Sequence, residues 1–148
     1  MRAGGRWQGF SLIELLVVVL IVAIIMAIGV PGYRQYVQRA NRVDATAALL
    51  RIAAAQERFY LQQGSYASDA QLGLAPPAGL GIPNSERGYY NLSIESPNLL
   101  IGFIAVATPA AGEGQEDDDN CQRFSVNEQG QREAEDGGGA ATLDLCWR

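Results

Sequence analysis

Glu14 is the one ionisable side chain in an otherwise apolar stretch from Phe10 to Val30. A carboxylate inside a bilayer-length apolar run costs about 2.5 to 3.5 kcal/mol on insertion scales, so a compensating positive charge is expected beside it. Two cysteines, Cys121 and Cys146, stand late in the chain. Where a membrane anchor places them outside the cytoplasm, an even pair reads as a disulfide, which for a loop of this length stabilises by about 3 to 4 kcal/mol in the chain-entropy picture. A two-cysteine metal site is the weaker alternative, since no histidine is present and the spacing is not CxxC. Between Glu113 and Asp119 five carboxylates cluster. Hard oxygen donors at Asp117, Asp118 and Asp119 could take calcium, but the spacing is not that of an EF-hand, and a solvated acidic loop is the commoner meaning of such a run.

The missing residue types narrow the chemistry further. Without histidine there is no Ser-His-Asp or Cys-His set, and the commonest general base is gone. No phosphate-cradling glycine motif precedes a helix; Gly137-Gly138-Gly139 reads as a flexible tip. The sequence therefore argues against an enzyme and implies no cofactor. Lysine is also absent, and from Arg34 onward nine Arg stand against fifteen Asp and Glu, a net charge of minus six. Arg39, Arg42, Arg51, Arg58, Arg87 and Arg123 could form a basic strip. A net-negative domain nevertheless lacks the electrostatic footprint that supplies most affinity for nucleic acid, so DNA is not expected as a partner.

With 148 residues, close to half of them apolar, the chain has room for one small domain and one membrane segment. Met1 to Gly9 carries Arg2 and Arg6 and no acid, which the positive-inside rule keeps in the cytoplasm. Phe10 to Val30 would be about 30 Å long as a helix, the thickness of a hydrocarbon core. Gly29-Val30-Pro31-Gly32 then kinks the helix or ends it. From Tyr33 to about Gln62 there is no Pro or Gly, and Tyr33, Val37, Ala40, Val43, Ala47, Leu50 and Ala54 recur at three and four. That spacing predicts an amphipathic helix with this stripe on the core and with Arg34, Gln38, Asn41, Arg42 and Thr46 on the outer face. Gly64 is the expected stop.

Residues 64–88 read as a long loop with a short helical turn near Ser68 to Leu72. Strands are expected over Tyr89 to Glu95, Leu100 to Ala107 and Arg123 to Val126, with a turn at Asn127-Glu128-Gln129-Gly130 and one more strand over Leu143 to Trp147. Of the pair Tyr89 and Tyr90, one is expected in the core and one at the surface. The fold class is α+β.

Gly9-Phe10-Ser11-Leu12-Ile13-Glu14-Leu15 resembles the cleavage and assembly motif of type IV pilins and the related pseudopilins. Arg42-Val43-Asp44-Ala45, Ala48-Leu49-Leu50, Gln56-Glu57-Arg58-Phe59-Tyr60, Tyr66 and the terminal Cys146-Trp147 are similar to minor pilins of the PilE-like group. The resemblance implies the type IV pilin fold, a long N-terminal helix packed on a small antiparallel sheet. It divides the chain into a leader at 1–9, a transmembrane and filament-core helix at 10–32, the amphipathic second half of the helix at 33–63, and a head at 64–148. It also implies that a prepilin peptidase cuts after Gly9 and that Phe10 becomes N-methylated. Glu14 would be the register charge, Pro31 the point of helix flexibility, and Cys121 with Cys146 the closure of the C-terminal loop.

The function so implied is that of a minor pilin joining or priming a type IV pilus, in adhesion, twitching motility or DNA uptake. Its partners would be other pilins, through the N-terminal helix, and the prepilin peptidase. The chain would sit in the inner membrane with a periplasmic head before assembly and in the extracellular pilus afterwards. A type II secretion pseudopilin and a pilus-associated DNA-uptake receptor are the alternatives.

Overall fold

The computed structural model describes residues 10–147, which fall at Tyr36 and Val37 into two compact units. The expected leader at 1–9 and the expected cut after Gly9 lie outside the described residues. Helix α1 (Leu12–Gln63) contributes to both units. Strands β1 (Tyr90–Glu95), β2 (Ile104–Pro109), β3 (Arg123–Asn127) and β4 (Arg132–Glu135) follow, and a short helix α2 (Leu143–Cys146) ends the chain.

The first unit is the apolar half of α1. Its leucines, isoleucines and valines suit an apolar solvent, and a helix bonds its backbone polar groups internally apart from its ends and the bond that Pro31 removes. The helix is long and apolar enough to cross a membrane. Gly29 to Gly32 remain helical, so the reading in which this quartet ends the helix is corrected. A proline removes one N–H from the ladder, and a helix already nucleated on both sides bears that loss.

The second unit is built on an antiparallel meander in the order β1-β2-β3-β4. Its register places Leu92 opposite Ala107, Ala107 opposite Phe124, and Phe124 opposite Ala134, one row of side chains on one face. Ala45, Leu49, Ile52 and Phe59 of α1 form a single core with Tyr90, Ile94, Phe103, Phe124 and Val126. The α1 stripe expected in the core is therefore on the wrong side. Val43, Ala47, Leu50 and Ala54 are exposed, while Asn41 and Arg42, expected outside, are buried. Both faces carry apolar residues at helical spacing, and the buried one was disguised by the polar side chains Asn41, Arg42, Asp44 and Gln56.

The loop after α1 begins at Gly64, whose φ of 73° supplies the left-handed residue that stops the helix. Asp69–Gln71 is the helical turn expected there, in 3-10 form. β2 starts at Ile104 rather than Leu100, because Leu100 and Ile101 turn the chain between β1 and β2. Leu143 to Cys146 is helical, not a strand. One helical turn buries Cys146 and brings Trp147 against Phe124, while Leu143 and Leu145 stay exposed. β4 was not expected, since three of its four residues are charged. It forms because Ala134 is small enough to pair with Phe124 inside the sheet.

Candidate functional site

Glu14 lies in the first turn of α1, where its carboxylate faces the positive end of the helix dipole. Phe10 precedes the helix by two residues and is 85% exposed. An ammonium created at Phe10 would stand four residues from Glu14, within reach of the only other charge in the apolar segment. The apolar side chains around it are open to their surroundings from Leu12 to Val30. Pro31 lies within α1.

In the second unit the structure brings together residues that the sequence left apart. The Arg42 guanidinium meets the Asp118 carboxylate with two hydrogen bonds of 2.8 Å, Nε to Oδ2 and Nη2 to Oδ1. Its Nη1 donates to the Leu145 carbonyl at 3.0 Å. Gln115 donates from Nε2 to Asp118 Oδ2 and to the Gln38 carbonyl. Cys121 and Cys146 form a disulfide with their Cα atoms 5.9 Å apart. Arg42 thus holds the segments on both sides of that bond, and each of its three guanidinium nitrogens donates one hydrogen bond, which offsets the cost of burying the pair.

The three aspartates considered for calcium do not point the same way. Asp118 points into the core and is committed to Arg42, leaving Asp117 and Asp119 exposed beside it. Among the described residues no group of three or more His, Cys, Asp or Glu could hold a metal ion. Burial and its pairing with Asp118 also remove Arg42 from any basic strip. Arg123 is turned onto Glu95 at 2.9 Å, while Arg39, Arg51, Arg58 and Arg87 remain exposed.

Further polar bonds fix the loop at 64–88, and sequence reasoning missed them. Asp44, buried on α1, accepts hydrogen bonds from the backbone N–H of Arg87 and of Tyr89. Gln56 accepts from the N–H of Ala67 at 2.7 Å and donates to its carbonyl at 2.9 Å. Asp69 accepts the N–H of Ile94 and so covers part of the β1 edge. Tyr90 is buried and Tyr89 half-buried. Burial, reinforced by the nearby Asp118 charge, pushes the Tyr90 phenol well above its ordinary range. The Tyr66 phenol is raised as well, by burial and then by Glu57. The only advance signal for these bonds was the presence of polar residues on a helix face that repeats at three and four.

Two family models match. One, described as the prokaryotic N-terminal methylation motif, covers residues 8–30, and another, described as type IV minor pilin ComP, DNA uptake sequence receptor, covers residues 31–125. Among curated relatives, prepilin peptidase-dependent protein D of Escherichia coli K12 is 40% identical over 70% of this chain and 73% of its own length. Type IV major pilin protein PilA of Myxococcus xanthus is 34% identical over 75% of this chain and 49% of its own. The chain spans about half the length of the first pilins it matches. In fold it is similar to the non-core minor pilin PilV of Neisseria meningitidis, with a TM-score of 0.53 at 19% identity over 71% of this chain and 93% of that one. With the two family models running without a break from residue 8 to residue 125, the chain belongs to the type IV pilin family.

Proposed function

We propose that the chain is a minor pilin, built into a type IV pilus or priming its assembly. The observation that carries this reading is Glu14, a lone carboxylate in the first turn of a membrane-length apolar helix and within the matched methylation motif. Cleavage after Gly9 would create a positive terminus at Phe10, and Glu14 would pair with such a terminus on a neighbouring subunit. Pairing between subunits neutralises two charges in an apolar filament core and fixes the axial register at the same time. Before assembly the chain would lie in the inner membrane with a periplasmic head, and afterwards in the extracellular filament. The head's role is structural, in contacts with other pilins.

Mass spectrometry of the membrane-extracted chain, with and without the prepilin peptidase, tests this. Loss of residues 1–9 only when the peptidase is present, leaving a methylated Phe10, supports the reading. An intact Met1 in the presence of the peptidase sinks it.

A second reading comes from the matched model, whose description names a DNA uptake sequence receptor. The exposed Arg39, Arg58 and Arg87 would be its phosphate contacts, with Arg51 held 3.6 Å from Glu86, against an overall negative head. Saturable binding of duplex DNA that weakens steeply with salt would support it, and salt-independent retention or none would exclude it. A type II secretion pseudopilin shares the same N-terminal motif, and presence in sheared pili favours the pilin reading over it.

A further inference from the structure

Glu128 is a half-buried carboxylate that the second unit leaves without a cation. It follows β3 directly and lies over Gly102, where a Cβ would come within 2.8 Å of its Oε2. Gly102 does not adopt a positive φ, so what the glycine provides there is room for the carboxylate and not a special backbone shape. Glu128 has no ion-pair partner among the described residues. Its polar neighbours are spent within their own turns: Asn98 Oδ1 accepts the N–H of Leu100, and Asn127 Oδ1 accepts those of Gln129 and Gln131. A carboxylate held partly out of water attracts a cation more strongly than a fully hydrated one.

The surroundings of this carboxylate are apolar and aromatic. Ile101 and Ile104 border a shallow groove of about 290 Å³ that Glu128 also lines, and Ile101 is 72% exposed. Phe103 lines the same groove and packs on Tyr66, with ring centroids 4.9 Å apart. The Tyr66 hydroxyl donates to Glu57 Oε1 at 3.3 Å, and the ring of Tyr60 lies 4.7 Å from that of Tyr66. Burial raises the Tyr66 phenol first, then Glu57, with Tyr60 and Glu128 adding to the rise. Two carboxylates from different elements, Glu57 of α1 and Glu128 after β3, therefore bear on one aromatic ring beside an apolar groove. Glu57 is exposed and likewise has no ion-pair partner among the described residues. The groove is open and lies just below the roughly 300 to 1,000 Å³ of enclosed small-molecule sites, which suits protruding side chains of a polypeptide better than a free metabolite.

We propose that this groove docks a segment of another protein that presents an arginine beside an apolar side chain. The guanidinium pairs with Glu128 and reaches along Tyr66 toward Glu57, while the apolar side chain covers Ile101 and Ile104. Arginine fits better than lysine because its planar fork meets a carboxylate through two bonds, sheds water more readily and stacks on an aromatic ring. From Arg34 onward nine arginines stand against fifteen acids, so the field of the domain draws such a partner in. A contact of a few side chains falls far short of the roughly 1,200 to 2,000 Å² of a stable interface, so it is a reversible docking and not a permanent joint. It uses only side chains of the second unit and does not depend on the subunit reading above.

The test is fluorescence anisotropy of a dye-labelled peptide with blocked ends, one arginine between two leucines, titrated with the detergent-solubilised full chain. The same peptide with glutamine in place of the arginine measures what the leucines and the detergent contribute. The arginine peptide should bind about tenfold more tightly than the glutamine peptide, the size of one charge-assisted contact. Glu128→Gln should remove most of that preference, and Gly102→Ala, which displaces the carboxylate without changing the charge, should reduce it. Glu113→Gln takes one charge from the exposed acidic loop and should leave it intact. Thermal unfolding sets the variants at equal folded fraction. Equal affinity for the two peptides overturns the proposal, as do equal losses from Glu128→Gln and Glu113→Gln, which would mean diffuse attraction. Displacement of the peptide by spermidine at matching concentration also overturns it, since the groove would then take any cation. So does self-association of the full chain that Glu128→Gln abolishes, which would make the occupant a second copy.

Discussion

The Arg42 guanidinium grips the Asp118 carboxylate at 2.8 Å on both prongs, across 76 positions of sequence. Asp118 stands three residues before Cys121, and the third arginine bond goes to Leu145, the neighbour of Cys146. One side chain of α1 therefore fastens both ends of the disulfide-closed segment. Because the pair is almost fully buried, removing one partner leaves an uncompensated charge in the core. Arg42→Ala should destabilise the second unit by about 3 to 5 kcal/mol. The joint replacement Arg42→Met with Asp118→Leu should cost much less, because no charge is stranded. Thermal unfolding of the detergent-solubilised full chain distinguishes the two.

The disulfide closes a separation of 25 residues. Replacing both cysteines by serine should lower stability by about 3 to 4 kcal/mol in the chain-entropy picture. Since Arg42 and the disulfide hold the same segment, combining Arg42→Ala with the cysteine replacements should cost less than the sum of the two. A strictly additive result in the same unfolding assay would show that the two fastenings act independently.

The Tyr90 hydroxyl is buried and lies outside hydrogen-bond geometry with any partner among the described residues, as does Gln115 Oε1. Its folded pKa is raised above the unfolded value near 10, so its contribution is fully present below that pH. Above about pH 10 the unfolded chain loses the phenolic proton while the folded chain keeps it, and stability falls as pH rises. Tyr90→Phe should flatten this alkaline loss while leaving neutral-pH stability within about 1 kcal/mol, because an unpaired polar group is removed. Unfolding curves at pH 8 and pH 11 provide the measurement.

Asp44 holds the far end of the long loop by accepting two backbone N–H groups at 3.1 and 3.3 Å. Asp44→Ala should therefore leave both donors short of a partner and cost about 1 to 3 kcal/mol. Limited proteolysis should then cut between residues 80 and 90 much faster than in the parent chain. Unchanged cutting there would mean that the loop is held by its apolar contacts instead.

Glu14→Gln keeps the size and removes the charge. The variant should still lose residues 1–9 to the peptidase but be depleted at least tenfold from sheared filaments, while Glu14→Asp retains part of the incorporation. Full incorporation of Glu14→Gln would show that register is set by packing and not by charge.

The sequence alone determined the features that depend on local composition. A run of apolar residues without charge from Leu15 to Val30 can be little other than a membrane-length helix, and the absence of Pro and Gly from Tyr33 to Gln63 extends it. Three of the four expected strands stand where β-branched and aromatic residues concentrate, with ends shifted by up to four residues, and the fourth is the helix α2. Which face of α1 goes inward was a tertiary decision, because Asn41, Arg42, Asp44 and Gln56 look like surface residues until their partners are known. Each becomes tolerable inside only when a distant group such as Asp118 or the Ala67 backbone is brought to it. The same holds for β4 and α2: Ala134 is a strand residue because Phe124 lies opposite, and Cys146 closes a helical turn because Cys121 is there to receive it. Periodicity reports that a helix has apolar faces, and only the packed chain chooses between them.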